Sequence, residues 1–216
     1  MLIGKNNKLL MIGDSITDSG RQQPVAEGLF DPLGRGYVNL AAALLNAAYP
    51  ERRLRVVNMG NSGNTVRDLA RRWQTDVLNL KPDWVSIMIG INDVWRQFDL
   101  PNIPEQHVGL AEYEKTLEKL IRDTLPAVKG IVLMTPYFIE PNKSDPMRRM
   151  MDEYGQAVKK LAQKHKTRFA DTQKAFDAVL THCHPMALAW DRVHPNQNGH
   201  MVIARAFLQA VEFAWE

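Results

Sequence analysis

The chain has 216 residues, 45% of them hydrophobic and 24% charged, which is enough to fill one large core, and a single domain spanning residues 1–216 is the expectation. Its 27 Lys and Arg against 24 Asp and Glu leave a net charge of +3, too small a surplus to indicate a nucleic-acid-binding surface. The lone Cys183 cannot form an internal disulfide, and the first apolar run, Leu9 to Ile12, is too short for a signal-peptide core or a membrane span, so the expectation is a soluble, cytoplasmic protein with no membrane partner.

In chain order, the run "LLMIG" (Leu9 to Gly13) has strand length and delivers the polar cluster "DSITDSGR" to its end. Helical spacing follows in "YVNLAAALLNAA" from Tyr37, then a strand in "RVVN" (Arg55 to Asn58). A helix is predicted in "TVRDLARRWQTDVLNL" with Thr65 as N-cap, and a strand in "WVSIMIG" (Trp84 to Gly90). Beyond it lie a helix in "AEYEKTLEKLIRDTL" from Ala111 and a strand in "GIVLMTP" (Gly130 to Pro136). The next helix has Asp145 as N-cap and Pro146 in its first turn; "RFADT" (Arg168 to Thr172) forms the fifth strand, and a last helix runs from Asn196 to Trp215. The strands are mostly unalternated, so both sheet faces are expected to be covered: about five parallel strands between layers of helices. The basic clusters "ERRLR" (Glu51 to Arg55) and "RDLARRW" (Arg67 to Trp73) read as solvated helix faces.

In open parallel sheets, ligands bind beyond the carboxyl ends of the strands, where strand order reverses. The loops expected there are "GDSITD", "GNSGNT" and "GINDVW", all glycine with small polar groups. A serine at a strand end is by itself a turn or capping residue, and its hydroxyl is a weak nucleophile without a positioned base. The segment "AWDRVHPN" supplies that base: Pro195 keeps His194 out of a helix, and a tight loop lets Asp191 hold Nδ1–H while Nε2 faces Ser15. Negative charge developing on a tetrahedral intermediate needs donors, and the Ser15 N–H, the Gly63 N–H and the Asn92 amide can supply them. Alone, Gly63 reads as a turn and Asn92 as a cap; the set carries the signal.

These four blocks resemble the SGNH (GDSL) hydrolase superfamily: "GDSITD" with Ser15 as nucleophile, "GNSGNT" with Gly63, "GIND" with Asn92, and "DRVH" with Asp191 and His194. Longer stretches such as "KPDWVSIMIGINDVWRQFDLP" and "ALAWDRVHPNQNGHMVIARAFL" are similar to the bacterial intracellular acetyl xylan esterases of that superfamily. The resemblance implies a three-layer α/β/α sandwich of flavodoxin-like type and removal of acetyl groups from xylo-oligosaccharides, with no metal or organic cofactor. It also implies a homo-oligomer built from dimers, with an octamer as one form. Lipase, acylhydrolase or thioesterase activity on other short-chain esters is the alternative within the superfamily. A metal phosphoesterase built on Asp14, Asp18, Asp93, Asp191 and His194 would want more histidines, and a noncatalytic sugar-binding module would not need nucleophile, base and donors together.

Trp95 and Trp190 flank the proposed site and are candidates for stacking on a sugar ring; Tyr137 and Phe138 could line the same mouth. Arg67 and Arg96 could bind substrate hydroxyls or pair with carboxylates, and salt bridging is the preferred reading. Asp14 and Asp18 are assigned to shaping the turn, and Arg21 has no assigned role.

Overall fold

The computed structural model describes residues 1–215. Five strands, β1 (Lys8–Gly13), β2 (Arg55–Asn58), β3 (Trp84–Met88), β4 (Gly130–Met134) and β5 (Arg168–Ala170), form one parallel sheet in the order β2-β1-β3-β4-β5. Every residue of β3 is buried, as is β1 beyond its first residue, because helices cover both faces. Helices α2 (Tyr37–Ala48), α7 (Thr172–Leu180) and α8 (Gln197–Ala210) pack together on one side. On the other lie α3 (Val66–Asp76), α5 (Leu110–Thr124) and α6 (Pro146–His165), with α4 (Ile91–Asp99) against α6. This is the expected three-layer arrangement.

β1 and β2 end where their runs end, at Gly13 and Asn58, whereas β3, β4 and β5 stop sooner than expected. Gly13, Met88, Met134 and Ala170 lie in one register row across β1, β3, β4 and β5, and no strand passes it. The residues after that row turn to carry the site. The order places β2 on one side of β1 and β3 on the other, so the chain reverses its winding between β1 and β3, which is where a ligand crevice opens.

Three helices escape the sequence reading. The short α1 (Ser15–Asp18) starts directly after β1, with Asp14 capping it by accepting from the Ile16 N–H at 3.0 Å. The segment "GINDVW", expected as a loop, is a turn at Gly90 followed by α4, whose Ile91 and Val94 are buried. "ADT" ends β5 at Ala170, and Asp171 caps α7 by accepting from Lys174 N–H at 3.0 Å. Nine residues give α7 too few periodic positions to stand out. The last helix also ends early, at Ala210: Glu212 takes a left-handed φ of 60° and Phe213 N–H bonds back to Leu208 O at 2.9 Å.

The predicted caps at Thr65 and Asp145 are present, and Asn196, the expected start of the last helix, is its cap. Asp68 accepts from the Thr65 N–H at 2.9 Å and its hydroxyl at 2.7 Å, Asp145 from Arg148 N–H, and Asn196 from Asn198 and Gly199 N–H. No helix among the described residues is long and apolar enough to cross a membrane.

The segment leaving β2 runs hard against α1. A Cβ on Gly60 would lie 2.1 Å from Asp18 N and 2.5 Å from the Thr17 carbonyl carbon, both backbone atoms that cannot rotate away. Gly60→Ala is therefore expected to cost about 1–3 kcal/mol, as overpacking does. A wild-type thermal midpoint in that variant would show that the two segments are not in this contact.

Candidate active site

Three strand-end segments, after β1, β2 and β3, converge at the crevice with the loop that precedes α8. Ser15 opens α1, so its N–H is among those a helix leaves without an intrahelical partner. Its Oγ lies 3.0 Å from His194 Nε2, across 179 residues of chain. His194 Nδ1 lies 2.7 Å from Asp191 Oδ2, while Asp191 Oδ1 accepts from the N–H groups of Val193 at 3.0 Å and His194 at 2.8 Å. The carboxylate is partly buried, which pushes its pKa up, but the His194 ring and these two backbone donors outweigh that and hold it below the usual range. An ionised Asp191 fixes the proton on Nδ1 and leaves Nε2 as the acceptor facing Ser15.

The turn that permits this is tight. Arg192 takes a left-handed φ of 63°, which folds Asp191 back over His194. The loop is pinned from below: Tyr137 Oη donates to Val193 O at 3.2 Å, Ile139 N–H to Arg192 O at 2.9 Å, and Asn196 N–H to Leu188 O at 2.7 Å. Tyr137 and Phe138 are both buried, so neither lines the mouth; Tyr137 supports the histidine loop instead.

On the other side of Ser15, Gly63 sits in an exposed turn with φ +80°, a conformation that costs glycine little. Asn92, in the first turn of α4, is buried, and its Nδ2 donates to Asn64 O at 2.9 Å, which leaves one of its two N–H groups for a ligand rather than the two the sequence offers. Asp18 Oδ2 accepts from Ser62 N–H at 3.1 Å and Ser62 Oγ at 2.7 Å, so it shapes the turn as expected and ties the second block to the first.

Two arginines, read from sequence as surface or left unassigned, hold these segments together. Arg72 donates to Gly13 O at 3.0 Å, Met59 O at 2.8 Å, Asn64 Oδ1 at 2.7 Å and Asp76 Oδ2 at 2.8 Å. It is the inward member of "ARRW", whereas Arg71 beside it is a solvated partner of Asp68. Their adjacency puts them on different sides of α3, so only the hydrophobic phase set by Leu69 and Trp73 hints at the difference. Arg21 donates to Gly60 O, and to Gln22 O and Pro24 O at 2.9 Å each. Arg67 pairs with Glu112 at 2.6 Å and Arg96 with Asp99, as anticipated.

His200, which sequence reasoning passed over, fixes α1 from behind. Its Nδ1 accepts from Tyr37 N–H at 3.2 Å, so Nε2 carries the proton and donates to Ser19 Oγ at 3.2 Å. Burial and the nearby His194 charge lower its pKa to about 4 and keep it neutral. Trp95 is half-buried with its ring centroid 5.8 Å from that of His194, whereas Trp190, next to Asp191 in the chain, is 81% exposed. Among the described residues no three His, Cys, Asp or Glu side chains cluster as a metal site would require.

The model of the GDSL-like lipase/acylhydrolase family matches residues 11–202. The chain belongs to this family. An acetylxylan esterase of Geobacillus stearothermophilus is 60% identical over 215 residues, covering 100% of this hydrolase and 98% of that protein. The crystal structure of Axe2, an acetylxylan esterase from the same organism, superimposes with a TM-score of 0.98 at 60% identity over 100% of this chain and 98% of that one. LAE5, an α/β hydrolase enzyme from the metagenome of Lake Arreo, Spain, matches at 58% identity and a TM-score of 0.98, with both chains fully covered. Solved catalytic mutants of Axe2 include S15A, H194A and D191A, and the same residue types stand at those numbers in this hydrolase.

Two buried carboxyls, Asp14 and Asp93, lie beneath the site. Burial pushes each up to about 7, against hydrogen bonds from Ile16 N–H and Val66 N–H respectively, and the Asp14 charge adds to the rise at Asp93. In the unfolded chain an aspartate loses its proton near pH 4. Between about pH 4 and 7 the folded state therefore holds protons that the unfolded state has released, and stability falls as pH rises across that window. Asp93→Asn removes one such group, so its thermal midpoint between pH 4.5 and 7.5 should decline less steeply than that of the wild type. Parallel curves in calorimetry would remove Asp93 as a source of the slope.

Proposed function

We propose that this single hydrolase domain, residues 1–216, is a serine esterase that removes acetyl groups from xylo-oligosaccharides through an acyl-enzyme intermediate. The observation that carries the reading is the continuous hydrogen-bonded line from Asp191 through His194 to Ser15, at 2.7 and 3.0 Å. Ser15 Oγ attacks the acetyl carbonyl carbon while His194 Nε2 takes its proton. The Ser15 N–H, the Gly63 N–H and the remaining Asn92 N–H hold the oxyanion. His194 returns the proton to the departing sugar oxygen as the C–O bond breaks. Water then gives its proton to His194 and its oxygen to the acyl carbon, and acetate leaves as Ser15 recovers its proton.

The walls of the crevice favour a hydroxyl-rich alcohol over a long acyl chain. Beside Gly63 opens a cavity of about 270 Å³ lined by Thr65, Arg67, Asp68, Arg71, Arg96 and Gln106, polar or charged side chains that an alkyl chain would desolvate at a loss. Trp95, its ring centroid 5.8 Å from that of His194, and the exposed Trp190, next to Asp191 in the chain, are the platforms this reading offers a sugar ring. The 60% identity to an acetylxylan esterase supports the same ester. A single free cysteine fits a cytoplasmic enzyme working on short imported fragments. Exposed Leu29, Phe30, Met186 and Trp215 fit a homo-oligomer built from dimers, which light scattering would measure.

Ser15→Ala and His194→Ala are expected to lower turnover of 4-nitrophenyl acetate by on the order of 10⁴-fold or more. Near-normal turnover by purified Ser15→Ala protein would refute the nucleophile. Initial rates should favour acetylated xylo-oligosaccharides over esters of increasing acyl length; a preference for long acyl chains would transfer the assignment to the lipases.

A further inference from the structure

We propose that Arg96 is a positioning residue for the oxyanion hole: it locks the orientation of the Asn92 amide and polarises it. This rests on the reading of Asn92 as an oxyanion donor. The two ends of a side-chain amide are nearly the same size, so packing alone does not decide which points at the ligand. Reversed, Asn92 would present a carbonyl oxygen to the developing negative charge. Two contacts decide the matter here. Asn64 O accepts from Nδ2 at 2.9 Å, and Arg96 Nη2 donates to Oδ1 at 3.2 Å.

Arg96 stands four residues after Asn92 on α4, a spacing that places both side chains on one helix face. Its guanidinium is itself held, paired with Asp99 through Nη1 and lying over the Trp95 ring at 5.1 Å from the centroid. The same Trp95 faces the His194 ring, so one cation braces both the amide donor and the wall beside the base. A positive charge on Oδ1 also draws electron density from the amide nitrogen and makes the remaining N–H a stronger donor, as in other polarised hydrogen-bond chains. With the side chain only one-quarter exposed, solvent screens this little.

The test is a double-mutant cycle on 4-nitrophenyl acetate with kcat and KM measured separately. Asn92→Ala should lower kcat by roughly 10²-fold to 10³-fold. Arg96→Ala should lower kcat by about tenfold, a part of the donor's worth, with KM little changed. Arg96→Lys should recover some of that loss. In the Asn92→Ala background, Arg96→Ala should have no further effect on kcat. Full multiplication of the two losses, or a rise in KM with kcat intact, would overturn the proposal in favour of a direct substrate contact. If Arg96→Ala does not fold, Arg96→Gln and Arg96→Lys carry the same cycle, and an unchanged kcat in both refutes it. Full activity in Asn92→Ala would instead remove the donor reading itself.

Discussion

The parallel pairing of β3 with β1 on the side opposite β2 is the constraint from which the site follows. Because all strands point the same way and β1 and β3 end in one row, each of the two must discharge its chain at the same edge. The segments after them then have to diverge, and the gap between them is the crevice. Ser15 and Asn92 are the second and fourth residues past that row on neighbouring strands, so sheet geometry brings the serine and the Asn92 amide to one mouth. Rigidity comes with the position: the strands beneath are buried on both faces, and a side chain at the head of a short helix inherits that order.

The histidine arrives from the other end of the chain and has no strand to fix it. Its loop is instead clamped by backbone and side-chain bonds from the segment after β4, and Tyr137 reaches it from within the core. The site is thus supported by two kinds of scaffold: a sheet edge for Ser15 and Asn92, and a pinned turn with a left-handed Arg192 for Asp191 and His194. Between them, Arg72 collects the exits of β1 and β2 and the Gly63 turn onto one guanidinium. Five directional donors suit one arginine to bonding several carbonyls at once, where a lysine would offer a point charge.

Buried charge is handled differently in each layer of the site. Asp191 accepts three hydrogen bonds and is held below the usual carboxylate range, whereas burial raises Asp14 and Asp93, deeper and with fewer donors, to about 7. Three aspartates within one site therefore have separate roles, set by surroundings rather than by residue type. The family of GDSL-like lipases and acylhydrolases to which the chain belongs spans several ester classes, so the alcohol and acyl parts are decided by the crevice walls and not by the shared scaffold.

The alternation of strands and helices, the helix starts at Thr65, Asp145 and Asn196, the Ser15–His194 pair with Asp191, and Gly63 and Asn92 as candidate donors are all written in the chain. These are legible because buried parallel strands are continuous apolar runs, caps need particular side chains, and a serine nucleophile needs a base and donors. Strand order, the shortening of β3 and β4 to a common row, and helices α1, α4 and α7 came only with the tertiary structure, since short elements gain their stability from packing rather than from local propensity. The same holds for Arg72, Arg21, Tyr137 and His200: in the chain each is an ordinary polar residue, and only folding sets its donors or acceptors against backbone groups far away in sequence. Which of the two amide protons of Asn92 is free, and which way that amide faces, depended on Asn64 and Arg96 meeting it in space.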